Sequence, residues 1–249
     1  IDQGTVTARS VTVCDLDQDL VGRICGALGV VDGKEATQVA GSADLVVLAA
    51  KPQNLPSLLE EISPSINANQ TIMSIAAGVT TKSIEESLGG KPSVIRVMPN
   101  LPALVGEGIA VMCGGSHAKE LDFERVEEVL SAVGVCLKAP EGMMDPVTAL
   151  SGTGPAYVFH TMEAMIQSGL EMGMPLEMAE RLVLHTVFGA AMLAMESDLD
   201  PTSLREAVTS RGGTTDAAIS HLEENGYTRL VVEAILAAMD RSEELGRGS

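Results

Sequence analysis

From residue 11 to residue 138, short apolar runs rich in β-branched residues alternate with segments of helical period. The runs are VTVCD (11–15), DLVVLAA (44–50), QTIMSIAA (70–77), SVIRVM (93–98), GIAVMC (108–113) and GVCLK (134–138). Bounded by Gly, Pro, Asn and Asp, they predict strands, and their near-continuous hydrophobicity suits a mostly parallel sheet covered on both faces. Helices are predicted between them over 17–28, 52–62, 80–88 and 119–133, the last with Leu121, Val126, Val129, Leu130 and Val133 on one face. After Ala139 the strand signal stops. Helices are predicted over 143–150, 155–172, 175–195, 201–208, 215–225 and 227–245, several with Pro in the first turn and Gly beyond the last, as at Pro155 and Gly173. The chain therefore reads as α/β, a doubly wound sheet in residues 1–140, followed by an all-α domain in residues 141–249.

Two of the late segments, LVLHTVFGAAMLAM (182–195) and LVVEAILAAM (230–239), are apolar around most of the helix circumference. A unit of about 100 residues buries only part of its surface alone, so a further layer is expected against these helices. That layer is either a second copy of the chain or other helices of the same subunit. Gly169, Gly173, Gly189, Ala190, Ala191 and Ala194 would allow close helix approach. Glu163, Glu171, Glu180, Arg181, Glu196 and Glu233 interrupt the apolar runs, so no membrane span is expected, and no signal peptide is visible.

Composition narrows the partners. With a formal net charge of −18 over 249 residues, attraction to nucleic acid or anionic lipid is disfavoured. The four cysteines, Cys14, Cys25, Cys113 and Cys136, form no C-x-x-C pair and are expected to be buried free thiols of a reducing compartment, with pairing in space left open. No metal site is expected.

In a sheet of βαβ units, ligands gather at the carboxyl ends of the strands. Three successive ends carry suitable residues. Ala49-Ala50-Lys51-Pro52 offers a cation to a phosphate or ribose, and Ser74-Ile75-Ala76-Ala77-Gly78 leaves room for a flat ring. Met98-Pro99-Asn100-Leu101-Pro102 presents an amide on a backbone fixed by two prolines. Singly each could be a tight turn; at consecutive strand ends they suggest the rim of a nucleotide site. The G-x-G-x-x-G fingerprint of a dinucleotide fold is not found between Ile1 and Val11. If 11–15 is the second strand, the first strand and its Gly-rich loop lie upstream. Asp15 and Asp17 then sit where an acid accepts from a ribose 2′-OH and repels a 2′-phosphate, a lean toward NADH. The start at Ile1-Asp2-Gln3-Gly4, without Met, agrees with an end that is trimmed or incomplete.

A second ligand-ready segment is TSRGGTTDAAISHLEENG (209–226), in which a Ser-Arg-Gly-Gly-Thr-Thr turn opens into a helix. Unpaired N–H groups and the positive dipole end make a helix N-terminus an anion site. Gly212 and Gly213 admit a ligand close to the backbone, and Ser210, Thr214 and Thr215 add hydroxyls. A small carboxylate suits this place. The bland reading is an ordinary helix start, with Thr214 or Thr215 as its N-cap.

AAKP (49–52), AAGV (76–79), RVMPNLPALVGEG (96–108), ALSGTGPAYVF (149–159), LREAVTSRGGTTDAAISHLE (204–223) and EAILAAMDRSEEL (233–245) together resemble pyrroline-5-carboxylate reductases over essentially the whole length. The resemblance implies a Rossmann-like NAD(P)-binding domain and a helical substrate-binding domain that interlocks with a partner's into a homodimer, often assembled further into a decamer. It implies cytoplasmic reduction of 1-pyrroline-5-carboxylate to L-proline, the last step of proline synthesis, with NADPH or NADH. It places Ala49, Ala50, Lys51, Pro52, Ile75, Ala76 and Ala77 around the cofactor, where the strand-end reading adds Asp15 and Asn100. It places the substrate carboxylate on the backbone of Thr214 and Thr215, in the turn formed by Ser210, Gly212 and Gly213. Three departures stand out: the Gly-rich loop is not in this chain, Ala36 replaces an asparagine often found near the adenosine ribose, and Arg211 replaces the proline before the glycine pair.

Hydride addition to a C=N carbon also needs a proton at the ring nitrogen. Water or the Thr215 hydroxyl could supply it, and Thr215 is the expected catalytic partner. Glu196 or Asp198 could orient the loop, or be merely solvated. A β-hydroxyacid dehydrogenase shares the domain plan but places a lysine on the first long helix of its second domain, and no lysine lies between Ala139 and Ser249. His160, His185 and His221 lack ligand-like spacing, and His117 is expected to be exposed. An inactive oligomerising fragment is the remaining alternative, resting only on the missing loop.

Overall fold

The computed structural model describes residues 1–90 and 92–247. A first pair of parallel strands, β1 (Thr12–Val13) and β2 (Val31–Asp32), is linked by α1 (Gln18–Leu28). After α2 (Ala36–Ser42) comes a five-stranded sheet in sequence order: β3 (Leu45–Leu48), β4 (Thr71–Ser74), β5 (Ser93–Met98), β6 (Gly108–Gly114) and β7 (Gly134–Lys138). The helices α3 (Leu55–Ile62), α4 (Thr81–Ser87) and α5 (Glu120–Leu130) connect its parallel neighbours, whereas β6 runs antiparallel to β5. Among the described residues β1 pairs only with β2, and β3 only with β4. The predicted strands and helices of this half are present, but β2 and α2 are additions that the hydrophobic pattern does not predict.

Both faces of the larger sheet are covered. On one, Leu55, Leu59 and Ile62 of α3 and Ile84 of α4 meet Leu48, Ile72 and Val94; on the other, Val126 and Leu130 of α5 meet Met73, Ile95, Val97 and Met112. Each such side chain contributes about 1.5–3 kcal/mol through burial. The face predicted for α5 needs correction. The helix ends at Leu130, so Val133 falls in the turn beyond it and is exposed, as is Leu121 in the first turn.

All four cysteines are free thiols, but of the four expected to be buried only Cys113 is; Cys25 and Cys136 are half-buried, and Cys14, just past β1, is exposed. Burial, reinforced by Glu141, pushes the Cys113 thiol up to about 12. Alkylation of the native protein at pH 8 should therefore modify Cys14 and spare Cys113, which reacts only in denaturant. Peptide mapping checks this, and native labelling of Cys113 at the rate of Cys14 would contradict its burial.

The chain forms two compact units, residues 1–153 with 238–249, and residues 154–237. The predicted 143–150 helix is α6 (Met144–Val147) running into a π-helical turn, Thr148–Gly152. Then follow α7 (Gly154–Glu171), α8 (Leu176–Glu196), α9 (Pro201–Ala207), α10 (Thr214–Glu224) and α11 (Tyr227–Arg247). Gly169 lets α7 approach α8, since a Cβ there would lie 2.9 Å from Ala179 Cβ, whereas Gly189 faces open space. Phe159, Leu182, Leu184, Phe188, Leu193 and Leu230 are all about half exposed or more. By length and composition α8 is apolar enough to cross a membrane, with mean hydropathy 1.3, which corrects the expectation that its charges break every such run.

Candidate functional site

The parallel strands β3, β4 and β5 place their following segments side by side. Leu48 pairs with Ser74 and Ser74 with Arg96, and Ile75 N–H donates to the Leu48 carbonyl at 3.1 Å. Residues 49–52, 75–77 and 99–100 thus leave adjacent strands in the same direction, as a ligand-binding strand rim requires. Ala49 and Lys51 are exposed; Ala50, Pro52, Ile75, Ala77 and Asn100 are half-buried, and Ala76 is buried. Pro52 opens the 3₁₀ turn Pro52–Asn54 that leads into α3. Among the described residues Lys51 has no ion-pair partner, so its charge is available to an anionic ligand.

Asn100 already has a job within the fold. Its Oδ1 accepts from Ile109 N–H at 2.9 Å and its Nδ2 donates to Ser151 Oγ at 3.5 Å, joining the end of β5 to β6 and to the π-helical turn. The first acidic residue past β1, Asp15, is exposed and accepts from Asp17 N–H at 2.8 Å through Oδ1. Asp17 is committed to capping α1, accepting from Leu20 N–H at 3.0 Å. Each of the two acids thus accepts one backbone N–H through Oδ1 and keeps its second carboxylate oxygen for a ribose hydroxyl. A cation, small rim side chains and an acid past a strand end are a donor and acceptor set that fits a dinucleotide.

The α10 turn is built by its glycines. Gly213 N–H donates to the Ser210 carbonyl at 2.9 Å, with Gly212 at φ +73°, where any side chain would be strained. A Cβ on Gly213 would come within 2.5 Å of Ser210 Oγ. Gly213, not Thr214 or Thr215, is the N-cap, and no side chain caps the helix. Thr214 and Thr215 are its first two residues, so their N–H groups belong to the orphan donors of the first turn. Asp216, which sequence reasoning passed over, accepts from Gly212 N–H at 2.7 Å and braces the turn from inside. An acid three residues after the glycine pair is the signal that could have shown it. Neither Glu196 nor Asp198 hydrogen-bonds to this turn among the described residues; the acid that caps a helix here is Asp200, accepting from Ser203 N–H at 2.8 Å at the start of α9. That N–H holds the Asp200 carboxyl below its usual range.

A buried ionic cluster under the rim was also not foreseen. Arg96, 3% exposed, has Nη1 3.5 Å from Glu141 Oε1 and Nη2 3.9 Å from Asp145 Oδ1. Glu141 accepts from both the N–H and the hydroxyl of Thr81, at 2.7 and 2.5 Å. A concavity of 710 Å³ lined by Met178, Arg181, Leu182 and His185 lies along α8 and contains none of the candidate site residues.

Residues 141–245 match a family model described as pyrroline-5-carboxylate reductase dimerisation, and residues 1–78 one described as NADP oxidoreductase, coenzyme F420-dependent. The chain is 38% identical over 241 residues to the pyrroline-5-carboxylate reductase of Pseudomonas aeruginosa, covering 96% of this chain and 88% of that protein. It superposes on a pyrroline-5-carboxylate reductase from Coxiella burnetii with a TM-score of 0.86 at 35% identity, covering 94% of this chain and 87% of that one. Against Plasmodium falciparum pyrroline carboxylate reductase with NADP bound, the TM-score is 0.83 at 31% identity, with coverage of 87% and 82%. With likeness of this degree spanning both the strand-end rim and the glycine turn of α10, the chain belongs to the pyrroline-5-carboxylate reductase family.

Proposed function

We propose that this chain reduces 1-pyrroline-5-carboxylate to L-proline as an NAD(P)H-dependent oxidoreductase acting on a CH–NH bond, and that it works as a homo-oligomer. The observation that carries the reading is the uncapped N-terminus of α10, held open by a glycine turn whose side chains leave the first helical N–H groups to a ligand. A carboxylate is the group such a place selects, and 1-pyrroline-5-carboxylate carries one.

NAD(P)H, when bound, supplies the hydride for the C=N carbon. Ala49, Ala50, Lys51 and Pro52 with Ile75, Ala76 and Ala77 form its seat, Lys51 meeting a phosphate, Asp15 accepting from a ribose, and Asn100 fixing the loop after β5. The Thr214 and Thr215 N–H groups hold the substrate carboxylate, with Ser210, Gly212 and Gly213 shaping the turn around it. The Thr215 hydroxyl, hydrogen-bonded to the ring nitrogen, would pass its proton to it as hydride reaches the carbon and regain one from water, so that the C=N bond becomes CH–NH. Residues 1–140 carry the cofactor half, and 141–249 the substrate and dimerisation half. A decamer built from dimers and a cytoplasmic location, supported by four free thiols, complete the proposal. No comparison favours a hydroxyacid dehydrogenase or an inactive scaffold.

The test is substrate-dependent oxidation of NADPH and of NADH, followed at 1-pyrroline-5-carboxylate concentrations that span KM. Proline formed in step with nicotinamide oxidised is the expected result. Asp15 beside the ribose leads us to expect efficient use of NADH. A folded dimer that oxidises neither cofactor with this imine would remove the assignment.

A further inference from the structure

We infer that the last turns of α11 are a brace for the cofactor rim, with Ser242 and Gly246 as positioning residues. The inference rests on the seat proposed above for the nicotinamide cofactor. Ser242 is 5% exposed, unusual for a serine on a C-terminal helix, and donates to Asp145 Oδ1 at 2.7 Å. Asp145 in turn faces the buried guanidinium of Arg96, whose Nη2 has no hydrogen-bond partner among the described residues. A buried guanidinium is tolerated only with its counter-charges held in place. Here two carboxylates share one cation, so the orientation of Asp145 depends on the Ser242 hydroxyl.

One turn further along, the helix backbone touches the rim directly. A Cβ on Gly246 would lie 2.9 Å from the Gly78 carbonyl oxygen, and Gly78 itself has φ +76°. Gly78 follows Ile75-Ala76-Ala77, and three residues later Thr81 is held by Glu141, the other carboxylate on Arg96. The segment from 75 to 81 is therefore fixed at its middle by α11 and at its far end by the Arg96 cluster, to which α11 is tied through Ser242. Arg96 also sits in register with Ser74, where β4 gives way to the rim. Small side chains can seat a flat ring only if their backbone is fixed, so a loosened segment gives up cofactor affinity to the cost of ordering it. The residues of α11 from Ala238 onward belong to the same compact unit as this loop.

The experiment compares Ser242→Ala, Ser242→Thr and Gly246→Ala with the wild-type full-length protein, by steady-state kinetics and by fluorescence titration with NADPH alone. In the two alanine variants, KM and the NADPH dissociation constant should rise about tenfold while kcat at saturating cofactor stays within about twofold, the pattern of lost binding without lost transition-state contact. Ser242→Thr, which keeps the hydroxyl, should restore wild-type values. Folded alanine variants with unchanged NADPH binding, or with a lower Tm as their sole defect, would overturn the brace. The titration needs no turnover: absence of imine reduction by the wild type defeats the proposed reaction, whereas unchanged NADPH binding in the variants defeats the role of α11.

Discussion

Replacing Thr215 with alanine should lower kcat by about 10-fold to 150-fold, the range expected for losing a hydrogen bond of about 1.5–3 kcal/mol to a group that becomes charged. The effect falls on kcat because hydride addition at the C=N carbon pushes electron density onto the ring nitrogen, so the contact donated by the hydroxyl strengthens toward the transition state. Binding should suffer much less. In the proposed binding mode the carboxylate sits on main-chain N–H groups at the start of α10, which alanine retains, and KM for the imine should stay within about threefold. Thr215→Ser keeps the hydroxyl and should keep most of the turnover, while Thr215→Val keeps the shape and should behave like alanine. Since Thr215 is the second residue of an uncapped helix and Gly213 is the N-cap, loss of its side chain removes no cap, and Tm should be nearly unchanged. Steady-state kinetics on the three variants decides it: a kcat within twofold of wild type for Thr215→Ala would assign the proton to water.

The parts of the fold written in local pattern could be read from the chain alone. Proline at the start marks α7 and α8, and glycine past the end marks α7, to within a residue or two, and the four apolar runs of β3, β4, β5 and β6 were plain. The strand β2 was not, because it has two residues, one of them Asp32, and α2 was hidden because its seven residues, ATQVAGS, carry too few large apolar positions to show a period. The antiparallel turn of β6 had a signal that went unused. Residues 99–107, between β5 and β6, are too few for the crossover of about a dozen residues that a parallel pair needs. At the candidate site, the three strand-end segments and the glycine turn are each contiguous in sequence, so their local geometry was legible. The cluster of Arg96, Glu141, Asp145 and Ser242 is assembled from β5, the turn before α6, α6 itself and α11, and no local pattern links such distant positions. Cys14 was misjudged because apolar neighbours in sequence do not decide which side of a short strand end a residue takes.

Phe188→Asp should convert the dimer to monomer and abolish most of the activity. In the isolated chain Phe188 is 64% exposed on α8, together with Leu182, Leu184 and Leu193 of the same helix, and Gly189 beside it meets nothing within 4 Å. A helix this apolar and this little covered is stable in water only against another layer, and it lies inside the segment matched by the dimerisation model. A two-fold interface uses each patch twice, so losing one buried phenylalanine per chain removes about 3–6 kcal/mol, or roughly 10²–10⁴-fold in Kd, before the cost of burying the new carboxylate is added. Sedimentation velocity at micromolar concentration should show the shift, and Phe188→Leu, which preserves most of the apolar area, should leave the dimer in place. The proposed cofactor seat provides an internal control, since its residues 49–52, 75–77 and 99–100 belong to the other unit. NADPH titration should therefore change little in the monomer while imine reduction collapses, because the helical unit that carries Thr214 and Thr215 has lost the layer that holds it rigid. A Phe188→Asp chain that still sediments as a dimer would place the interface on a different helix, with Leu230 of α11, 67% exposed, the next residue to change.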